Sequence, residues 1–119
     1  MLVFMSNPQH PWIDICPGIR RRTITTGTTM YQMRAELEAG CQMPVHSHSQ
    51  EQIAHIVSGR VRFTVDGREV EVGPGESLYF ASKVPHGVIK AVETAVVIDT
   101  FSPPRNDYLA LDGTARRGE

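Results

Sequence analysis

The stretch Pro44-Val45-His46-Ser47-His48-Ser49-Gln50-Glu51-Gln52 gathers imidazole, carboxylate and carboxamide groups into one short segment. Two histidines at i and i+2 of an extended segment point to the same face, because side chains alternate across the pleat. Their backbone positions then stand about 6–7 Å apart, near enough for both rings to converge on one divalent ion. Surface histidine pairs with no ligand role have the same spacing, so the pair needs partners from elsewhere in the chain. Cys41 lies close enough in sequence to offer a thiolate, but no CxxC pattern joins it to Cys16. His55 shares its parity with Ile53 and Val57. It reads as a cavity-wall or core-facing histidine, not a fifth ligand. Tyr79, flanked by Leu78 and Phe80, has no clear facing, and His10 carries no assignment.

The elements that must hold these groups read as strands. Arg20–Thr26 is β-branched and polar, and its three arginines suggest a solvated edge strand. The alternative is a polyanion site. Thr28–Leu37 follows, then a turn at Glu38-Ala39-Gly40. Glu51–Val57 leads into Ser58-Gly59, a two-residue hairpin signal. Arg60–Val65 and Arg68–Val72 alternate with period two around Asp66-Gly67, a type I′ turn pair. Ser77–Phe80, Gly87–Val92 and Thr94–Phe101 complete the set. No segment has a 3.6-residue apolar period of helical length. Short strands between frequent turn signals imply an all-β antiparallel sandwich or barrel. Residues 1–19 read as an N-terminal arm or loop anchored by Trp12 and Ile13, residues 20–102 as the barrel, and 103–119 as a loop-like tail, all within one domain.

Composition narrows the function classes. The chain has 119 residues, 40% hydrophobic and 21% charged, an ordinary globular mix. Twelve Lys and Arg against 13 Asp and Glu leave a net charge of −1, which argues against a nucleic-acid binder that works by charge. No apolar run reaches the length of a membrane span. Met1–Met5 is short and unflanked for a signal peptide, and Met5 is an alternative start. Two cysteines are too few for a disulfide framework and read as reduced thiols in a cytoplasmic protein.

Gly40, His46, His48, Gln52 and Gly59 have spacing that resembles the first motif of the cupin family, with Gln52 where Glu is usual and Glu51 just before it. Gly75, Ala81, Lys83, His86 and Lys90 resemble the second motif in spacing. Ala81, Lys83 and Lys90 replace its usual Pro, Gly and Asn. The resemblance spans about residues 30–101. It implies a single-domain jelly-roll β-barrel holding one divalent transition metal (Zn, Ni, Fe, Mn or Cu) on His46, His48, Gln52 and His86. Glu51 is the rival for the third place, and strand parity favours Gln52 if the chain stays extended there. Three imidazoles and a carboxamide add no charge, so a bound ion would keep its double positive charge.

Val97-Ile98-Asp99-Thr100-Phe101-Ser102-Pro103-Pro104-Arg105 and the residues after it resemble the terminal strand and tail of small pectin-degradation cupins, which open unsaturated uronates to linear keto forms. That resemblance implies site roles for Asp99, Phe101 and Arg105. Asp99 and Phe101, at i and i+2, share a strand face. There Asp99 can move a proton, Phe101 can wall a sugar ring, and Arg105 can clamp a carboxylate in bidentate fashion. The plainer reading gives them a strand partner, a core position and a loop contact. The expected protein is a homodimeric, metal-dependent cupin acting on a small anionic sugar. Alternatives are a three-His dioxygenase acting on a small organic acid and a non-catalytic module that binds metal or small anions.

Overall fold

The computed structural model describes residues 10–117. The alternative start at Met5 and the first half of the expected arm lie outside the described residues. Two antiparallel sheets pack face to face. One has β1 (Ile13–Cys16), β2 (Ile19–Thr26), β3 (Tyr31–Leu37), β10 (Ala95–Ser102), β5 (Glu51–Ser58) and β8 (Ser77–Phe80), in that order. The other has β4 (Met43–His46), β9 (His86–Ala91), β6 (Val61–Val65) and β7 (Arg68–Val72). This is the expected all-β jelly roll, and among the described residues one helix, α1 (Asn106–Arg117), follows it.

Strand alternation builds the core. Tyr31, Met33, Ala35 and Leu37 of β3 face inward, as do Ala95, Val97, Asp99 and Phe101 of β10. Val61 and Phe63 of β6 and Val88 and Ala91 of β9 meet them from the other sheet. The Asp66-Gly67 turn joins β6 to β7 with positive φ at both residues, 50° and 80°, as a type I′ turn requires.

Five expectations are corrected. The arm is not all loop, because Ile13–Cys16 pairs with β2. β2 is therefore no edge, and its arginines are not one solvated run. Arg21 is fully buried, while Arg20 and Arg22 place their guanidiniums 4.1 and 4.8 Å over the Trp12 ring. Ser58-Gly59 makes no hairpin, since β5 and β6 belong to different sheets. Gly59 instead crosses between them at φ +82°, where a Cβ would meet the Thr94 carbonyl oxygen at 2.2 Å. In β5 the inward residues are Ala54 and Ile56, and His55 points outward between exposed Ile53 and Val57. The tail is helical, because α1 docks on the barrel through a charge.

That charge is Asp112. Arg21 Nη1 donates to its Oδ1 at 2.8 Å, and Thr23 Oγ1 donates to its Oδ2 at 2.6 Å. Arg21 Nη2 also donates to the Tyr108 carbonyl, and its guanidinium lies 4.3 Å from the Tyr108 ring centroid. A buried guanidinium needs such partners, since an unpaired one is costly to desolvate.

Candidate metal centre

Register brings the first two histidines together. His46 ends β4 directly opposite His86, the first residue of β9, and their ring centroids are 4.4 Å apart. The chain leaves β4 before His48, whose ring still returns to 4.9 Å from His86 and 5.9 Å from His46. The candidate ligand nitrogens of the three lie within 4.8 Å of one another.

The backbone decides which nitrogen each ring offers. Nδ1 of His46 lies 2.9 Å from the Pro44 carbonyl, that of His86 2.9 Å from Val84, and that of His48 3.0 Å from Gln50. A carbonyl oxygen only accepts, so each Nδ1 carries the proton and donates it. In the neutral ring Nε2 is left as a lone pair, which is the ligand form. Burial holds His86 at about 4, with the neighbouring His46, His48 and Arg105 adding to the effect. Burial, then the Arg105 charge, also lowers His48. Phe80 stacks on His86 at 4.5 Å, and Phe101 meets His48 edge-on at 5.5 Å, which fixes both rings.

Gln52 points inward and Glu51 does not. Gln52 Oε1 sits 3.1 Å from His48 Nε2, while Gln52 Nε2 donates to Asp99 Oδ1 at 2.8 Å. Glu51 is exposed and accepts from the Tyr79 hydroxyl at 2.7 Å. Gln52 opposes Phe101 across β5 and β10, and Asp99 opposes Ala54, so Gln52 and Asp99 are diagonal neighbours on the inner face. Burial pushes Asp99 up to about 6, against the Gln52 hydrogen bond and the Arg105 charge. Arg105 enters the same cavity from just before α1. Its guanidinium is 4.9 Å from the Phe101 ring and 3.8 Å from Tyr108, and it is held in bidentate fashion by Asp107 at 3.1 and 2.9 Å.

One cavity between the sheets is thus bounded by His46, His48, His86, Gln52, Asp99 and Arg105. Phe101, Phe80 and Tyr108 supply its aromatic walls. The Cupin domain family matches residues 33–101, which carry every one of these groups except Arg105 and Tyr108. The chain belongs to the cupin family. It is 28% identical over 107 residues to the pectin degradation protein KdgF of Dickeya dadantii (strain 3937), covering 89% of this cupin and 97% of that protein. The structure of KdgF from a Halomonas species superposes with a TM-score of 0.80 at 27% identity, covering 91% of this chain and 99% of that one. An RmlC-like cupin from Shewanella frigidimarina NCIMB 400 also gives 0.80 at 27% identity, over 91% and 96% of the two chains.

The donor set of this cupin fits a divalent transition metal. Three imidazole nitrogens with fixed tautomers and one carboxamide oxygen suit such an ion and leave its charge uncompensated. Cys16 and Cys41 are not among the clustered groups; Cys16 Sγ instead faces the Gln42 carbonyl at 3.7 Å. His55 takes Ser77 as its partner at 2.8 Å on the outer face, and Tyr79 is exposed there too. Sequence reasoning missed Phe80, although it directly precedes the second motif's Ala81. It also missed Tyr108, which lies in the helix read as a loop. Among the described residues, no helix is long and apolar enough to cross a membrane.

Proposed function

We propose that this cupin is a metal-dependent enzyme that converts 4,5-unsaturated uronate monosaccharides to linear keto acids. The observation that carries the reading is the meeting of Asp99, Phe101 and Arg105 with the three-histidine cluster in one cavity. The similarity to KdgF proteins, one named for pectin degradation, supports the substrate class.

Each residue has a task set by its place. Arg105 is already oriented by Asp107 and receives the substrate carboxylate as a charged donor. Phe101, 2% exposed, walls one face of the sugar ring. Asp99 gives a proton to the ring's enol-ether double bond. Water adds at the carbon bearing the ring oxygen and returns a proton to Asp99. The resulting hemiketal opens to the keto acid. When bound, a divalent ion at His46, His48, His86 and Gln52 supplies Lewis acidity toward the sugar oxygens. The reading includes a homodimer in the cytoplasm. Ile53 and Tyr79, register partners on the outer sheet face, are 49% and 58% exposed and give a second copy an apolar face.

The test is to follow the ultraviolet absorbance of a 4,5-unsaturated uronate with metal-loaded protein. Faster loss than in buffer supports the reading, and an unchanged rate overturns it. Oxygen uptake by an iron-loaded sample on a small organic acid would instead favour a dioxygenase. Light scattering on the purified protein reads the dimer.

A further inference from the structure

A carboxamide is two-sided. Its oxygen is a metal ligand and its NH₂ is not, and the two ends differ little in size. Whatever fixes the flip of Gln52 therefore decides whether residue 52 can bind an ion at all. In a cupin with Glu at this position the question does not arise, because both carboxylate atoms are oxygens.

The group that fixes the flip is visible. Asp99 Oδ1 lies 2.8 Å from Gln52 Nε2 and accepts from it. The NH₂ end is thereby committed to Asp99 and the oxygen is turned toward His48. That oxygen sits 3.1 Å from His48 Nε2. His48 Nδ1 is already committed as the donor to the Gln50 carbonyl at 3.0 Å, so in the neutral ring Nε2 is a lone pair. Two lone pairs facing each other this closely make poor mutual partners and a natural pair of ligands to one cation. Asp99 is buried at 6% exposure on β10, a strand that supplies none of the three histidines.

We infer that Asp99 is a positioning residue for the metal centre: it orients the Gln52 carboxamide so that oxygen, not nitrogen, faces the ion. The inference rests on the metal-binding part of the reading above and not on its substrate. Its test uses no sugar, so it stands or falls separately from the uronate assignment.

Asp99→Asn keeps the shape but brings a two-sided amide that can equally donate to Gln52 Oε1. Asp99→Leu and Asp99→Ala have no polar atom there, so none of the three commits the Gln52 NH₂. Cobalt(II) affinity is measured for the unchanged chain and each variant by competition with a chromophoric chelator, with Gln52 and again with Gln52→Glu. With Gln52 present, the Asp99 chain should bind cobalt about tenfold more tightly than the three variants. The visible cobalt bands of the variants should shift as the amide oxygen is lost from the ligand set. With Gln52→Glu the advantage of Asp99 should disappear, since a carboxylate needs no orienting. Equal affinities for Asp99 and its variants beside Gln52 would overturn the inference, and so would an Asp99 advantage that persists unchanged beside Glu, which would mark a plain charge effect. Circular dichroism checks each fold, and the three variants serve as independent tests if one of them does not fold.

Discussion

His46 and His86 face each other across β4 and β9 as register partners, their ring centroids 4.4 Å apart. Two strands of one sheet therefore build half of the candidate centre, and the loop after β4 adds His48. Ligand binding to such a preformed cluster should appear as stability, because the unfolded chain lacks it.

Adding zinc or nickel to the metal-free protein should raise its melting temperature, by about 2.7 kcal/mol of stability at a hundredfold excess over Kd. His86→Ala should abolish most of that gain. Differential scanning fluorimetry across a metal titration reads both. An equal rise in the variant would move the site elsewhere.

Arg105→Lys keeps a positive charge but loses the planar fork. Under the proposed reaction KM should rise by about tenfold, corresponding to about 1.4 kcal/mol, with kcat changed less. Steady-state kinetics on the unsaturated uronate checks the split between the two constants.

Asp107 steadies Arg105, and the guanidinium hydrogen bond holds its carboxyl below the usual carboxylate range. A depressed carboxylate contributes stability above its unfolded pKa, and that contribution fades as pH falls through the folded value. The Asp107 side chain is 58% exposed, so the pair is worth less than about 1 kcal/mol. Asp107→Asn should cost that much at pH 7 and progressively less below about pH 4. Urea denaturation at the two pH values measures the difference.

Lys83 holds φ at +66°, in the left-handed region, and its N–H donates to the His48 carbonyl at 2.8 Å. It stands where the second cupin motif usually has glycine, and the glycine-like backbone persists without the glycine. Lys83→Gly should stabilise the protein by about 0.5–1 kcal/mol, as relief of side-chain strain outweighs the added freedom of the unfolded chain. A melting temperature a few degrees higher is the expected reading.

Asp112→Ala leaves the buried Arg21 guanidinium without its carboxylate and should destabilise by about 3 kcal/mol. Replacing both partners with apolar residues, Arg21→Met with Asp112→Leu, should recover most of the loss. Chemical denaturation of the single and double variants separates the two cases.

The histidine pair was legible from its spacing, although His48 lies beyond β4 and its ring reaches His46 and His86 from the loop that follows, not by strand alternation. Gln52 was favoured by parity with His46 and His48 in a continuous extended run. The chain leaves the strand between His46 and Glu51, however, and it is the alternation of β5 itself that turns Gln52 inward. Outward Ile53, His55 and Val57 were misread, since the outer face of this strand is itself apolar and mimics a core pattern. Helix α1 escaped notice because its apolar contacts are few and its buried anchor is a carboxylate, Asp112. Arg21 was hidden for the same reason. A charged residue in a charged run looks solvated until its partner, 91 residues away, is placed beside it.

That separation has a consequence on the ribosome. Arg21 leaves the exit tunnel roughly five to twenty seconds before Asp112 at ordinary elongation rates. Through that interval the nascent chain carries a guanidinium destined for an apolar interior with no counter-ion to accompany it. Sealing of that end must wait for α1 to be translated.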